Sequence, residues 1–426
     1  MSNKQSLLTK LYLASFPIIA NAWILIVYLK SWLNSNDSRI KERIGITDLR
    51  RPEGVVIWCH AVSLGESLAI LPLINAFVRN KNINVLITSS TLSSAKLITK
   101  RMPEKSIHQF SPLDHPKWIS NFLNHWKPNV SIRVESEIWP NTLKTLYEKK
   151  IPIILVNGKI SKRSYNNWKK YPYFANSIFN TISLVLAKSE EEAKKFKVLG
   201  ADKVFSIGEL KHASPPLPIN NDLREELKKK ITGRPVWIAA SIHKGEEKFV
   251  INSHIYLKKI WPDILTVIAP RHLEFSKNIE KLSKRLRLNC IRKSSRRFPD
   301  EDSDIYILDT FGELGTLYSI IPIVFIGKSL GKKKGGQNPL EPAQLGCQII
   351  FGNHMENFKK ISKEMINKKI AMQIESQEEL NFCLEHLLIK QNKQNNRENI
   401  KKKLSQIQEE GKKSIQKSYD EIMKYI

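Results

Sequence analysis

Short apolar runs, each closed by polar residues, recur along this chain in two blocks. The first block holds Val55–Trp58, Asn84–Thr88, Val130–Val134, Ile151–Val156 and Leu184–Ala187. The second holds Val236–Ala240, Leu265–Ala269, Asp304–Leu308, Ile321–Ile326 and Gln348–Phe351. Helical segments such as Ser67–Val78 lie between them. Strands that alternate with helices predict an α/β fold, with a parallel sheet covered by helices on both faces. His212–Asn221 separates the blocks and contains Ser214-Pro215-Pro216 and Pro218. Closely spaced prolines interrupt helix and sheet alike and suit an interdomain linker. The pattern therefore predicts two Rossmann-like domains facing each other across a cleft. The boundaries read as an N-terminal apolar helix over 1–35, a first domain over 36–212, a linker over 213–221, and a second domain over 222–426 with a charged helical tail.

The apolar stretch Leu11–Leu29 is uncharged and flanked by Lys10 and Lys30. Its length suits a helix crossing the hydrocarbon core, here a single-pass signal anchor. An in-plane helix and a signal cleaved near Ala20-Asn21-Ala22 are the competing readings. Lys30, Arg39, Lys41, Arg43, Arg50 and Arg51 follow the stretch. Such a cluster favours keeping the following domain on the cytoplasmic side of the membrane. The formal net charge is +28, which favours anionic partners such as a membrane surface or phosphorylated ligands. The lysines are spread along the chain with no compact basic, aromatic-interleaved motif, which argues against nucleic acid. Cys59, Cys290, Cys347 and Cys383 form no C-x-x-C pair, so no zinc ribbon or thioredoxin-like site is predicted.

The polar residues gather where the strands end, which is where a doubly wound sheet exposes its ligand crevice. In the first block these are His60, Ser63, Gly65 and Glu66, then Glu135 and Glu137, then Asn157, Lys159 and Ser161. In the second they are Ser241, His243, Lys244, Glu246 and Glu247, then Pro270, Arg271 and His272, then Gly312 and Glu313. The stretch Gly327–Gly346 completes the set with Lys332–Lys334, Gly335, Gly336 and Pro339. Strand, glycine-rich basic loop and helix start form an order that can build an anion site from free amides and the helix dipole. Glu341, in the first turn of that helix, is placed to reach a ribose. Taken singly, each group has a plainer reading: Glu66 as a helix N-terminal residue, His243 as a packed histidine, Glu137 as a lysine partner. Their recurrence at one end of successive strands argues for a site built on loops. The chemistry that fits is group transfer from a phosphate-bearing donor, with a carboxylate taking a proton from an acceptor hydroxyl. No Walker A motif and no G-x-G-x-x-G after the first strand is present, which disfavours NTPases and dinucleotide dehydrogenases.

Five strings occur in order: Cys59-His60-Ala61-Val62-Ser63-Leu64-Gly65-Glu66, Glu135-Ser136-Glu137-Ile138-Trp139-Pro140-Asn141, Ser241-Ile242-His243-Lys244-Gly245-Glu246-Glu247, Pro270-Arg271-His272, and Gly335-Gly336-Gln337-Asn338-Pro339-Leu340-Glu341-Pro342. Together they resemble the 3-deoxy-D-manno-octulosonic acid (Kdo) transferases of lipid A biosynthesis, from the N-terminal stretch to about Phe358. The resemblance implies a GT-B fold with an N-terminal acceptor domain and a C-terminal donor domain. It implies CMP-Kdo as donor, lipid IV-A as acceptor, inversion at the transferred sugar, and no metal or other cofactor.

By the same resemblance Glu66 matches the proposed base and Glu137 the second acidic residue on the acceptor side. Arg271, Ser329 and Gly335, Gly336, Gln337, Asn338 and Glu341 match donor positions. The strand-end residues Ser241, His243, Gly312 and Glu313 join them as donor-binding candidates. The chain also departs from the family pattern. Gln337 stands where a histidine is usual, Gly208-Glu209-Leu210-Lys211-His212-Ala213 replaces a G-N-L-K-[FY]-D string, and Asn157-Gly158-Lys159 replaces an Asn-Ala-Arg string. A GT-B transferase or epimerase using a UDP-sugar is the alternative enzyme. A membrane-attached binding protein is the non-enzyme alternative.

Overall fold

The computed structural model describes Ser15, residues 20–22, Ile24, and residues 39–210, 215–295, 297–331, 334–391 and 396–426. The chain divides into two compact units, residues 1–214 with 409–426, and residues 215–408.

The first unit is built on β1 (Val55–His60), β2 (Ile83–Ser89), β3 (Ser106–Phe110), β4 (Val130–Val134), β5 (Ile153–Gly158), β6 (Leu184–Ala187) and β7 (Val204–Ser206). They pair in the order β3-β2-β1-β4-β5-β6-β7, and every pairing is parallel. Parallel strands need crossover helices, and these cover both faces, which is why the strands read as unbroken apolar runs. Alternate residues feed opposite cores. Ile57, Cys59 and Ile132 pack on one face with Ile70, Ile74 and Phe77. Trp58, Leu155 and Val185 pack on the other with Phe122, Trp126 and Phe179. The chain winds outward from β1 to β3 and then returns beside β1 with β4, so its topological switch point lies between β1 and β4.

The second unit repeats this logic with β8 (Val236–Ile242), β9 (Leu265–Pro270), β10 (Cys290–Arg292), β11 (Ile305–Ile307), β12 (Ile323–Ile326), β13 (Gln348–Gly352) and β14 (Ala371–Ile374). The order is β10-β11-β9-β8-β12-β13-β14, again all parallel, with the switch point between β8 and β12. At that point Gly327 is indispensable for close approach: a Cβ there would stand 2.4 Å from Ser241 O and 2.5 Å from Ile242 Cα.

Two sequence expectations are modified, and a third falls largely outside the described residues. The Pro-rich stretch is described from Pro215, and from there it packs within the second unit: Asn220 N–H donates to Thr316 Oγ1 at 3.0 Å, and Pro218 O fills the space a Cβ on Gly315 would need. The charged tail is helical over Gln377–Gln391 and Arg397–Met423, but residues 409–426 belong to the first unit. Ile422 is buried there, because its apolar face completes a core that includes Phe77 and Leu184. The apolar stretch Leu11–Leu29 lies outside the described residues except for Ser15, residues 20–22 and Ile24. Ala20 and Ile24 pack with Ile40 and Trp118. No helix among the described residues is long and apolar enough to cross a membrane.

Candidate active site

In the first unit the polar strand ends meet at the switch point. β1 ends at His60, and the helix Leu64–Val78 starts four residues on, capped by Ser63. The S-x-x-E spacing makes a capping box: Glu66 N–H donates to Ser63 Oγ, and the Glu66 carboxylate reaches back. Glu66 Oε2 accepts from Val62 N–H at 2.8 Å, and Oε1 accepts from the Ser63 hydroxyl at 2.9 Å. The helix start therefore fixes the carboxylate while leaving it half-buried. A Cβ on Gly65 would meet nothing within 4 Å, so the neighbouring position faces open space.

β4 delivers the other two acids. Glu135 is buried, in the left-handed backbone region at φ 63°, and pairs with Lys159 Nζ at 2.5 Å. Asn157, at the end of β5, is also left-handed at φ 52° and donates from Nδ2 to Glu135 at 3.4 Å. Two non-glycine residues held in this region at adjacent strand ends mark a constrained site. Glu137 accepts from the Trp139 indole N–H at 2.7 Å. His60 Nε2 stands 3.6 Å from the same carboxylate, beyond direct hydrogen-bond range, and His60 Nδ1 contacts Thr88 Oγ1 at 2.9 Å.

The environment separates the two free carboxylates. Burial and then the negative charge of Glu137 raise Glu66 above the ordinary glutamate range, with Glu135 adding to the rise and the Ser63 and Val62 hydrogen bonds opposing it. Burial acts on Glu137 in the same direction, but His60, the Trp139 N–H and the Arg133 charge outweigh it and hold Glu137 low. Burial keeps His60 neutral at neutral pH. Glu66 is thus the carboxylate that changes protonation more readily, and Glu137 the one that stays anionic. A division of this kind suits proton transfer by the first and electrostatic support by the second.

In the second unit the corresponding loops are tied by one buried residue. Glu246 accepts from the backbone N–H groups of His243 at 2.8 Å, Lys328 at 2.7 Å, Ser329 at 3.0 Å and Leu330 at 3.1 Å. The first amides of the glycine-rich loop are therefore occupied by a protein carboxylate and are not free for a phosphate. Ser241 and Lys328, on the two facing strand ends, are both left-handed, at φ 56° and φ 60°. His243 is brought to Gln337, with Nε2 3.0 Å from the amide Nε2, and its ring meets His272 edge-on. Asn338 donates to Glu341 Oε1 at 3.2 Å and accepts from Leu340 N–H.

The structure distinguishes among the donor candidates. Ser329 is buried, and its hydroxyl bridges Ile326 O and Gly352 N–H, so it braces β12 against β13. Gly335 and Gly336 are needed for packing: with φ at 122° and 68°, their missing Cβ atoms would collide with Asn357 and Met355. The expected dipole at Pro339 is minor, because the helix there runs only Leu340–Gln344 and Pro339 is its N-cap. Arg271 is exposed at the end of β9. Gly312 is exposed after β11, and a Cβ there would meet nothing, while Glu313 accepts from Thr310 Oγ1 at 2.7 Å. Lys332, Lys333 and residues 211–214 lie outside the described residues. Sequence reasoning passed over Arg133 and Asp114. The available signal for Arg133 was a single charge inside the apolar strand Val130–Val134.

Residues 38–214 match the protein family described as 3-deoxy-D-manno-octulosonic-acid transferase (kdotransferase). The chain is similar to the 3-deoxy-D-manno-octulosonic acid transferase of Rickettsia bellii, at 35% identity over 88% of this chain and 90% of that protein. It is 29% identical to the enzyme of that name from Haemophilus influenzae, over 91% of both chains. It is 34% identical to a probable mitochondrial 3-deoxy-D-manno-octulosonic acid transferase of Arabidopsis thaliana, over 82% of this chain and 81% of the other. In fold it resembles the crystal structure of a glycosyltransferase from Rickettsia africae, with a TM-score of 0.57 at 14% identity, covering 88% of this chain and all of that one.

Proposed function

The chain belongs to the Kdo transferase family and is a glycosyltransferase, and from that premise we propose that it moves Kdo from CMP-Kdo to lipid IV-A. The proposal includes a GT-B arrangement with the first unit as acceptor side and the second as donor side. It includes inversion at the anomeric carbon, no metal, and attachment to the cytoplasmic face of the inner membrane through the N-terminal apolar stretch and the basic surface. A lipid hydroxyl attacks the anomeric carbon of Kdo, the bond from that carbon to the CMP phosphate oxygen breaks, and CMP leaves with the electron pair. Glu66 takes the proton of the attacking hydroxyl.

The observation that carries this reading is the Glu66 carboxylate held by the capping box at the switch point of the first sheet, with Glu137 close enough for its charge to raise it. A base must be deprotonated yet still bind a proton usefully, and a raised carboxylate does both better than an ordinary one. Glu137 keeps a negative charge beside it. On the donor side Arg271 offers a fork of N–H donors suited to a carboxylate or phosphate, and the His243–Gln337 pair offers neutral polar contacts.

The test is mass spectrometry of lipid IV-A after incubation with the purified chain and excess chelator. CMP-Kdo should give product heavier by Kdo residues, and UDP-sugars should give none. Transfer from a UDP-sugar, or loss of transfer in chelator, contradicts the reading.

A further inference from the structure

Ala20 and Ile24 lie one helical turn apart in the N-terminal apolar stretch, and both are buried, while Asn21 and Ala22 between them are exposed. A spacing of four residues puts the buried pair on one helix face. That face packs on Ile40 and Trp118, with Leu113 beside them, all in the first unit. A helix that only held a chain to a bilayer would need no such seat.

The seat is rigid. It includes the short helical turn Ile40–Ile44, which follows the stretch in sequence. The Arg39 guanidinium donates to both oxygens of Glu42, at 2.7 and 2.9 Å, and to His108 O at 2.8 Å. Glu42 is buried and accepts from Phe110 N–H at 2.6 Å. Arg43 is buried over the Phe110 ring, 4.6 Å from its centroid, and donates to Ser90 O at 3.0 Å. Leu113 N–H donates to Arg43 O at 3.0 Å. Charge-assisted hydrogen bonds, the stronger kind, thus bolt this turn to β3 and to the end of β2.

Ala20 also lines a cavity of about 410 Å³, whose wall includes Val62, Leu113, His60 and Trp139. His60 Nε2 stands 3.6 Å from the Glu137 carboxylate, and the Trp139 indole N–H donates to it. The N-terminal stretch and two neighbours of Glu137 therefore share one cavity wall.

We propose that the N-terminal stretch is a working part of the first unit's site. Its helix docks through Ala20 and Ile24, Ala20 closes the cavity beside the carboxylate cluster, and the stretch positions the acceptor as well as attaching the chain. The positioning role rests on reading the carboxylate cluster as the acceptor side. The docking does not depend on that reading.

The test compares wild type with an anchor-swapped full chain in phosphatidylglycerol vesicles carrying lipid IV-A. In the swapped chain residues 1–30 are replaced by an unrelated single-pass helix chosen to give equal flotation with the vesicles. Its KM for lipid IV-A should rise at least about 10-fold, with kcat moving less and CMP affinity at the wild-type value. Hydrogen exchange over residues 113–119 should quicken. Within the native stretch, Ala20→Trp should raise the same KM about 10-fold, the scale of overpacking a fitted wall, and Ala20→Ser should stay near wild type. Ile24→Ala should quicken hydrogen exchange over residues 113–119 with flotation unchanged. A wild-type KM or wild-type hydrogen exchange in the swapped chain overturns the proposal. If the swapped chain does not fold, a wild-type KM in Ala20→Trp or wild-type hydrogen exchange in Ile24→Ala overturns it. Quickened hydrogen exchange in Ile24→Ala, with no Kdo transfer by wild type, counts against the transferase reading alone.

Discussion

Glu66 and Glu137 carry the same chemistry, and only their surroundings separate them. Because the charge of Glu137 helps raise Glu66, Glu137→Gln should lower the pKa of Glu66. The base works deprotonated, so the acid limb of the kcat/KM profile should move to lower pH, read from pH–rate curves of both proteins. A limb that stays in place, or moves up, removes Glu137 from that role. Gln337 gives a second residue-scale prediction. Its amide faces His243 Nε2, so Gln337→Ala should raise the KM for CMP-Kdo about 5-fold, the weight of one neutral hydrogen bond, with kcat little changed. The acids were legible because each belongs to a string that joins a strand end to a capped helix start. Arg133 was not, because a charge inside an apolar strand is visible in the sequence while its burial over the Trp58 ring is a property of packing. Ser329 illustrates the opposite limit: a serine in a glycine-rich loop reads as a ligand group, yet its hydroxyl is spent between two strands.

The elements show the same division. The strands expected from apolar runs lie in the interiors of the two sheets, where helices cover both faces. The strands with no sequence signal are β3, β7, β10 and β14, and these are the four sheet edges. Edge strands are shorter and more polar because they pack less; β10 is Cys290–Arg292 and none of its residues is fully buried. The switch points were also beyond the sequence, since strand order depends on which crossover returns to the centre. At the second switch point Gly327→Ala should destabilise by about 1–3 kcal/mol, because its Cβ would enter the Ser241–Ile242 backbone. Glu246→Ala would leave four backbone N–H groups without their acceptor. It should cost about 3 kcal/mol or more, measurable by denaturant melts, and raise the KM for the donor.

At the scale of the whole molecule, the C-terminal helix runs from the second unit into the first. Residues 409–426 bring Tyr419 against Phe77 at 5.5 Å between rings, and the Tyr425 hydroxyl donates to Ser183 O at 3.2 Å. Deleting 409–426 should therefore speed hydrogen exchange in the first sheet, around β5 to β7, and leave β8 to β14 near wild type. The reverse pattern would place the tail elsewhere. Its heavy charge hid this role, because the apolar residues that anchor it are a minority among lysines and glutamates.

The central claim is that a family glycosyltransferase uses Glu66 as its proton acceptor, and the most direct measurement is Kdo transfer by Glu66→Gln under saturating CMP-Kdo. Glutamine keeps the size of the side chain and removes the base. Turnover should fall at least about 100-fold while CMP affinity, measured in parallel, stays at the wild-type value. Near-normal turnover in Glu66→Gln would contradict the account.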